Sequence, residues 1–208
     1  MFDGQEHWVK SDVILLLFLT RIFSQVSNLS NASSLIFNSL LAFPKYSGSR
    51  AVNWCGEETP IATAVLLIPF PPPALGFYID SALFPSPRIQ VSDRVADDSN
   101  RLLLGPFCGK PACQFIQTAP GKARGVCADA YLQAKTIVVP EVNLYPGHIA
   151  CDAETKSDIV CPLVLHIQGE PRVLGVLDLD CLVPNGFDHE DKVGLEKIAN
   201  LIVKACNW

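Results

Sequence analysis

The chain has 208 residues, with 16 Lys and Arg against 21 Asp and Glu and a net charge of −5. Apolar residues make up 49% and charged residues 18%, below the ~25% charged residues of ordinary globular chains, which excludes a disordered polymer. No basic block or stripe is present, so the electrostatic footprint of a nucleic-acid binder is missing, and the length suits one domain with a full core.

Near the start, the apolar run Val13–Leu19 is far shorter than the ~20 residues of a membrane span. Asp3, Glu6 and Asp12 outnumber the lone Lys10 there, unlike the positive head of a secretory signal. The expectation is an intracellular, cytoplasmic protein without membrane association, with the nucleus also open to it. Residues 27–43 read as an amphipathic helix, with Leu29, Ala32, Leu35, Ile36, Leu40 and Phe43 at three- and four-residue spacings, ended by Pro44 and Ser47-Gly48-Ser49. Ala51–Trp54 can begin a strand. Positions 60–87 then hold 7 of the 16 prolines, and Pro71-Pro72-Pro73 cannot donate to a sheet ladder.

Gly76–Ile79 again looks strand-like and is followed by a polar stretch from Ser81 to Asn100. Leu102–Leu104 forms a short strand that Gly105-Pro106 should stop. Thr136–Val139 and Ile159–Ile167 carry β-branched runs suited to strands. Gln168-Gly169-Glu170-Pro171 is a turn, and Val173–Asp180 returns as the hairpin partner. Asp188 caps a final helix, with Asp191 reaching back; Val193, Ile198, Leu201, Ile202 and Ala205 form its apolar stripe. Helix, antiparallel strands and a closing helix make an α+β domain.

Eight cysteines, at 55, 108, 113, 127, 151, 161, 181 and 206, raise the question of a disulfide framework. In an intracellular chain of this size they read instead as filler, metal ligands or redox groups. There is no Cys-x-x-Cys pair, and His148-x-x-Cys151 alone is a weak metal signal, so no metal is expected. Cys161 and Cys206 lie on apolar elements and suit the core. In Pro146-Gly147-His148-Ile149-Ala150-Cys151-Asp152, Cys151 follows a turn and precedes polar residues, which places it on a loop with some exposure. A nearby His148 imidazolium would promote its thiolate; a buried loop cysteine beside a surface histidine is the plainer reading of this segment. Asp178 and Asp180, two apart on a strand, share one face, and Asp158 opens the preceding strand near the same mouth. Such carboxylates either end a strand in solvent or handle a cation or proton. Cysteine with clustered carboxylates points to thiol redox chemistry on a cationic or proton-requiring substrate.

These residues resemble the free methionine-(R)-sulfoxide reductases, small GAF-domain proteins that reduce the free amino acid. The resemblance rests on Leu103-Leu104-Gly105-Pro106-Phe107, Gly109-Lys110, Ala112-Cys113, Gly125-Val126-Cys127, Pro146–Asp152, Gly175–Asp180, Gly186-Phe187-Asp188 and Asn53-Trp54. It implies a GAF-like fold over 26–208, with a central antiparallel sheet of about six strands flanked by N- and C-terminal helices. By family mechanism, a catalytic cysteine attacks the sulfoxide sulfur, a sulfenic acid forms, and a resolving cysteine makes a disulfide that thioredoxin reduces.

Carried over by motif, Cys151 is the nucleophile and Cys113 the resolving partner, with Cys127 as the alternative. Asp178 and Asp180 match the family's strand carboxylates, and Asp158 stands where the family has Glu; one would protonate the departing oxygen and others hold the substrate ammonium. Trp54 and Tyr78 match aromatics that wall the pocket. The resemblance further implies free methionine-R-sulfoxide as substrate, no cofactor, thioredoxin as reductant and a homodimer. The family's Trp-x-Gly-Phe-Tyr is interrupted here by an insertion near 57–75 at the pocket wall. A second insertion lies near 81–98, and a third near 10–25 within an N-terminal extension, 1–25. Their composition resembles translated introns, which transcript reads across each would test. The competing classes are a GAF module that binds a small molecule without turnover, which needs no pairing of Cys113, Cys127 and Cys151, and a redox-sensing or peroxide-reducing thiol protein, which would use Cys151 without the carboxylate pocket.

Overall fold

In this computed structural model the described residues are 25–46, 74–83, 100–108, 113–149, 151 and 153–208. Trp54, the strand expected at Ala51–Trp54 and most of the three expected insertions lie outside them. The first helix, α1 (Gln25–Leu41), buries Leu29, Ala32, Ile36 and Leu40 along the expected stripe, while Leu35 and Phe43 are partly buried against it. The chain leaves α1 through a short 3-10 turn, Pro44–Tyr46, as proline demands.

Six strands follow among the described residues: β1 (Ala74–Asp80), β2 (Arg101–Cys108), β3 (Phe115–Gln117), β4 (Ile137–Val139), β5 (Ser157–Ile167) and β6 (Glu170–Cys181). They form one antiparallel sheet in the order β3-β2-β1-β6-β5-β4. β1 lies between β2 and β6 and is continuous from Ala74 onward.

Gly105-Pro106 does not stop β2, contrary to the sequence expectation. The β1–β2 register shifts between Gly76 and Tyr78, so the strand passes the proline at an irregularity, where a missing N–H costs no ladder bond. The expected four-residue turn between β5 and β6 is also tighter. Gln168 and Gly169 both have positive φ, 54° and 90°, as a two-residue hairpin turn of mirror-image type requires. Glu170 and Pro171 consequently belong to β6.

The second helix, α2 (Val126–Gln133), is absent from the sequence expectations, where Gly125-Val126-Cys127 appears only as a motif. At eight residues it is short, and its buried residues are only Val126, Ala128 and Ala130, so it has little stripe to read. Gly125 starts it at φ 86°, a conformation costly for any residue with a Cβ. The last helix, α3 (His189–Ala205), carries the expected capping box: Asp188 accepts from Glu190 N and Asp191 N, and Asp191 accepts from Asp188 N. Its stripe differs in part. Leu195, Ile198, Ala199, Ile202 and Val203 are buried, whereas Val193, Leu201 and Ala205 lie at its flanks.

Two apolar clusters lie on opposite faces of the sheet, following the strand alternation. On one face Phe77, Ile79, Ile159, Cys161, Leu177 and Leu179 pack with α1 and α3. On the other, Tyr78, Leu102, Ile116, Val160 and Val176 pack with α2. Gly175 keeps β6 close to β1: a Cβ there would run into the Tyr78 carbonyl and lie 2.8 Å from Ile79 Cα. No helix among the described residues is long and apolar enough to cross a membrane.

Candidate active site

The face covered by α2 opens into a cleft of about 430 Å³, including the part open to solvent. The strands supply its acids. Asp178 and Asp180 alternate onto this face of β6, Asp158 stands directly across from Asp180 on β5, and Val160 faces Asp178. A like-charged pair in direct cross-strand register is destabilising when both members are ionised, and Asp158 is only 4% exposed.

The acids answer by holding protons. Burial, then the charges of Asp178 and Asp180, push Asp158 well above the ordinary carboxyl range. Burial also raises Asp178, while hydrogen bonds from Asp158 and Cys127 oppose the rise. The pair therefore shares a proton, held mainly on Asp158. Asp158 Oδ1 and Asp178 Oδ1 are buried without a hydrogen-bond partner in the structure. Each of the three acids can bring an oxygen within 4.8 Å of the others. Such a set can accept a substrate ammonium or a metal cation, or donate a proton from Asp158.

α2 and the loops complete the wall. Cys127 Sγ donates to Asp178 Oδ2 at 3.3 Å, and burial with the charges of Asp178, Asp158 and Asp180 keeps this sulfur a thiol. Cys151 is exposed in the loop after the Pro146-Gly147 turn and lines the cleft. A disulfide joins it to Cys113, with the two Cα atoms 5.6 Å apart. His148 also lines the cleft, but burial lowers its pKa. Neutral imidazole is thus favoured, so the thiolate-promoting imidazolium, the less plain of the two readings of this segment, loses its physical basis.

Of the residues expected from sequence, Cys127, Cys151, Asp158, Asp178 and Asp180 converge on one cleft, with Cys113 tied to it through Cys151. Tyr78 is not among the lining residues; it is buried in the cluster behind, where burial and the nearby acids push its hydroxyl far above the usual phenol range. Trp54 falls outside the described residues. Arg124 and Thr155 line the cleft without having been singled out in the sequence, and Thr155 Oγ1 is buried without a hydrogen-bond partner. Arg124 abuts the Gly125 motif, a usable signal; Thr155 has no local signature.

The chain is 41% identical over 204 residues to the free methionine-R-sulfoxide reductase of Saccharomyces cerevisiae, covering 98% of this chain and 78% of that protein. The chain belongs to the free methionine-R-sulfoxide reductase family. Its fold is that of a GAF domain: a solved structure described as a GAF domain is 36% identical, with TM-score 0.70, over 100% of this chain and 91% of that one. Another family member, the free methionine-R-sulfoxide reductase of Neisseria meningitidis solved with its substrate, is 25% identical with TM-score 0.62, covering 97% and 87%. No protein-family model matches the chain.

Proposed function

We propose that this protein reduces free L-methionine (R)-sulfoxide to methionine, with Cys151 as nucleophile, Cys113 as resolving thiol and thioredoxin as reductant. The observation that carries the reading is the exposed Cys151, bonded to Cys113, in the wall of a cleft that also holds Asp158, Asp178 and Asp180. The Cys151 thiolate attacks the sulfoxide sulfur, and a proton from Asp158 reaches the sulfoxide oxygen as its bond to sulfur weakens. The bond between the two sulfurs then breaks as the oxygen ends on Cys151, leaving a sulfenic acid there and releasing methionine. Cys113 then attacks that sulfur, water departs, and the disulfide forms. Two electrons and two protons from the thioredoxin dithiol restore both thiols.

Asp178 and Asp180 receive the ammonium of the free amino acid, which a residue inside a peptide lacks. This accounts for a preference for the free substrate; since methionine sulfoxide is an oxidation product of methionine, the activity would serve in defence against oxidative stress. The acting form is a homodimer in the cytoplasm. The insertions near 57–75, 81–98 and 10–25 are additions to a GAF domain spanning 26–208.

An NADPH-coupled assay with thioredoxin, run on free and peptide-bound epimers of methionine sulfoxide, tests this. Turnover of the free R epimer alone is expected, with a Cys113–Cys151 disulfide seen by mass spectrometry when thioredoxin is withheld. A protein that stays fully reduced with the R epimer, or prefers the peptide substrate, contradicts the reading.

A further inference from the structure

Cys127 lines the cleft but has no part in the chemistry proposed above. It stands on the first turn of α2, with its Sγ on Asp178 Oδ2 at 3.3 Å. The other Asp178 oxygen, Oδ1, and Asp158 Oδ1 have no hydrogen-bond partner. We propose that Cys127 is a positioning residue: its S–H holds one oxygen of Asp178, fixes the rotation of that carboxylate, and leaves the other oxygen to meet substrate beside Asp158. The inference rests on the reductase reading and deepens it. It gives a hydrogen-bonding task to a sulfur that motif spacing alone makes an alternative resolving thiol.

Two physical arguments support it. A resolving thiol must become a thiolate to attack a sulfenic acid, and around Cys127 three carboxyl groups and burial oppose that ionisation. A thiol donating to an ionised oxygen makes a charge-assisted hydrogen bond, which favours negative charge on Asp178 and leaves the shared proton on Asp158. The titratable and charged groups facing this bond are Asp180 on β6, Asp158 on β5 and Tyr78 on β1, with Arg124, His148 and Tyr145 from the loops, the Tyr145 hydroxyl already donating to Asp129 of α2. Arg124 is exposed and His148 favours its neutral form, so the stabilisers of that charge are the hydrogen bonds from Asp158 and, after it, from Cys127.

The test compares Cys127→Ala and Cys127→Ser in the full chain. Losing a hydrogen bond to a charged group lowers kcat/KM by about tenfold or more in Cys127→Ala. It also moves the carboxyl limb of the pH–rate profile upward, because Asp178 loses a partner of its ionised form. Cys127→Ser keeps a donor and recovers most of the rate and the original limb. Both variants still form the Cys113–Cys151 disulfide. A serine variant as slow as the alanine one, an unmoved profile in Cys127→Ala, or a Cys127–Cys151 disulfide accumulating in the wild type overturns the proposal. A chain that reduces no sulfoxide at all refutes the reductase reading instead. The positioning role is then decided by NMR titration of the Asp178 carboxyl, which must rise in Cys127→Ala and return in Cys127→Ser; no change refutes it.

Discussion

The two faces of the sheet come from the same strands and treat the same side chain in opposite ways. On the face covered by α1 and α3, Cys161, Cys181 and Cys206 sit among Leu, Ile and Phe. Burial pushes Cys161 up to about 11 and raises the other two as well. Those sulfurs are protonated and inert, acting as small apolar groups. On the face covered by α2, Cys151 is exposed on a loop and bonded to Cys113, while Cys127 spends its hydrogen on Asp178. Reactivity thus follows the neighbours of each sulfur, and the α2 face gathers three acids, whereas on the α3 side the buried Asp191 is held by Lys45 at 2.6 Å. A carboxyl group forced out of water gives up its charge or finds a partner, and the α2 face does both.

The largest expected effect lies on the α2 face. Cys151→Ser removes turnover, by at least ~10⁴-fold in the thioredoxin-coupled assay, because a hydroxyl cannot replace the thiolate. Cys113→Ser should complete one turnover and stall, read as a single burst of methionine; normal recycling would make another thiol the resolver. Next comes Asp158→Asn, which loses the proton donor and lowers kcat by about 10²- to 10⁴-fold.

The same variant tests the acid's effect on stability. Asp158 is raised well above 3.8 in the folded protein, so it binds its proton more tightly folded than unfolded. Its contribution favours the folded state below the unfolded value and is lost as pH rises through the folded one. Urea midpoints of wild type should therefore fall relative to Asp158→Asn as pH increases above about 4; parallel curves would remove the buried shared proton from the account.

The opposite face should respond in stability and not in chemistry. Leu177 is fully buried there, and Leu177→Ala costs about 2–5 kcal/mol in urea denaturation, with the Cys113–Cys151 disulfide still forming on substrate addition. Loss of disulfide formation in the folded variant would show that the two faces are coupled. The smallest effect is at the edge of that face. Asp188→Ala removes the cap of α3 and a partner of Lys45 at 2.6 Å, for about 1 kcal/mol. The ion pair adds little because both side chains are partly exposed.

Much of this was legible from the chain itself. The stripe Leu29–Leu40, the Asp188 and Asp191 cap and the β5–β6 hairpin are local patterns, and local patterns survive folding. Asp178 and Asp180 could be placed on one face because strand periodicity is strict. α2 was not legible, since an eight-residue helix of about two turns has almost no periodicity. Gly105-Pro106 misled because a bulge, a property of two strands together, removed the penalty of proline.

Sequence alone picked out the residues that the structure brings to one cleft: the three spaced cysteine motifs and the strand carboxylates are written in residue type and spacing, as are the helix stripes. Tertiary structure decided their states. It set Asp158 across from Asp180, brought Cys127 onto Asp178, lowered His148 away from the imidazolium, and put Tyr78 behind the cleft. The reason is that charge, protonation and access depend on distance and on exclusion of water, and neither exists until strands far apart in the chain lie side by side.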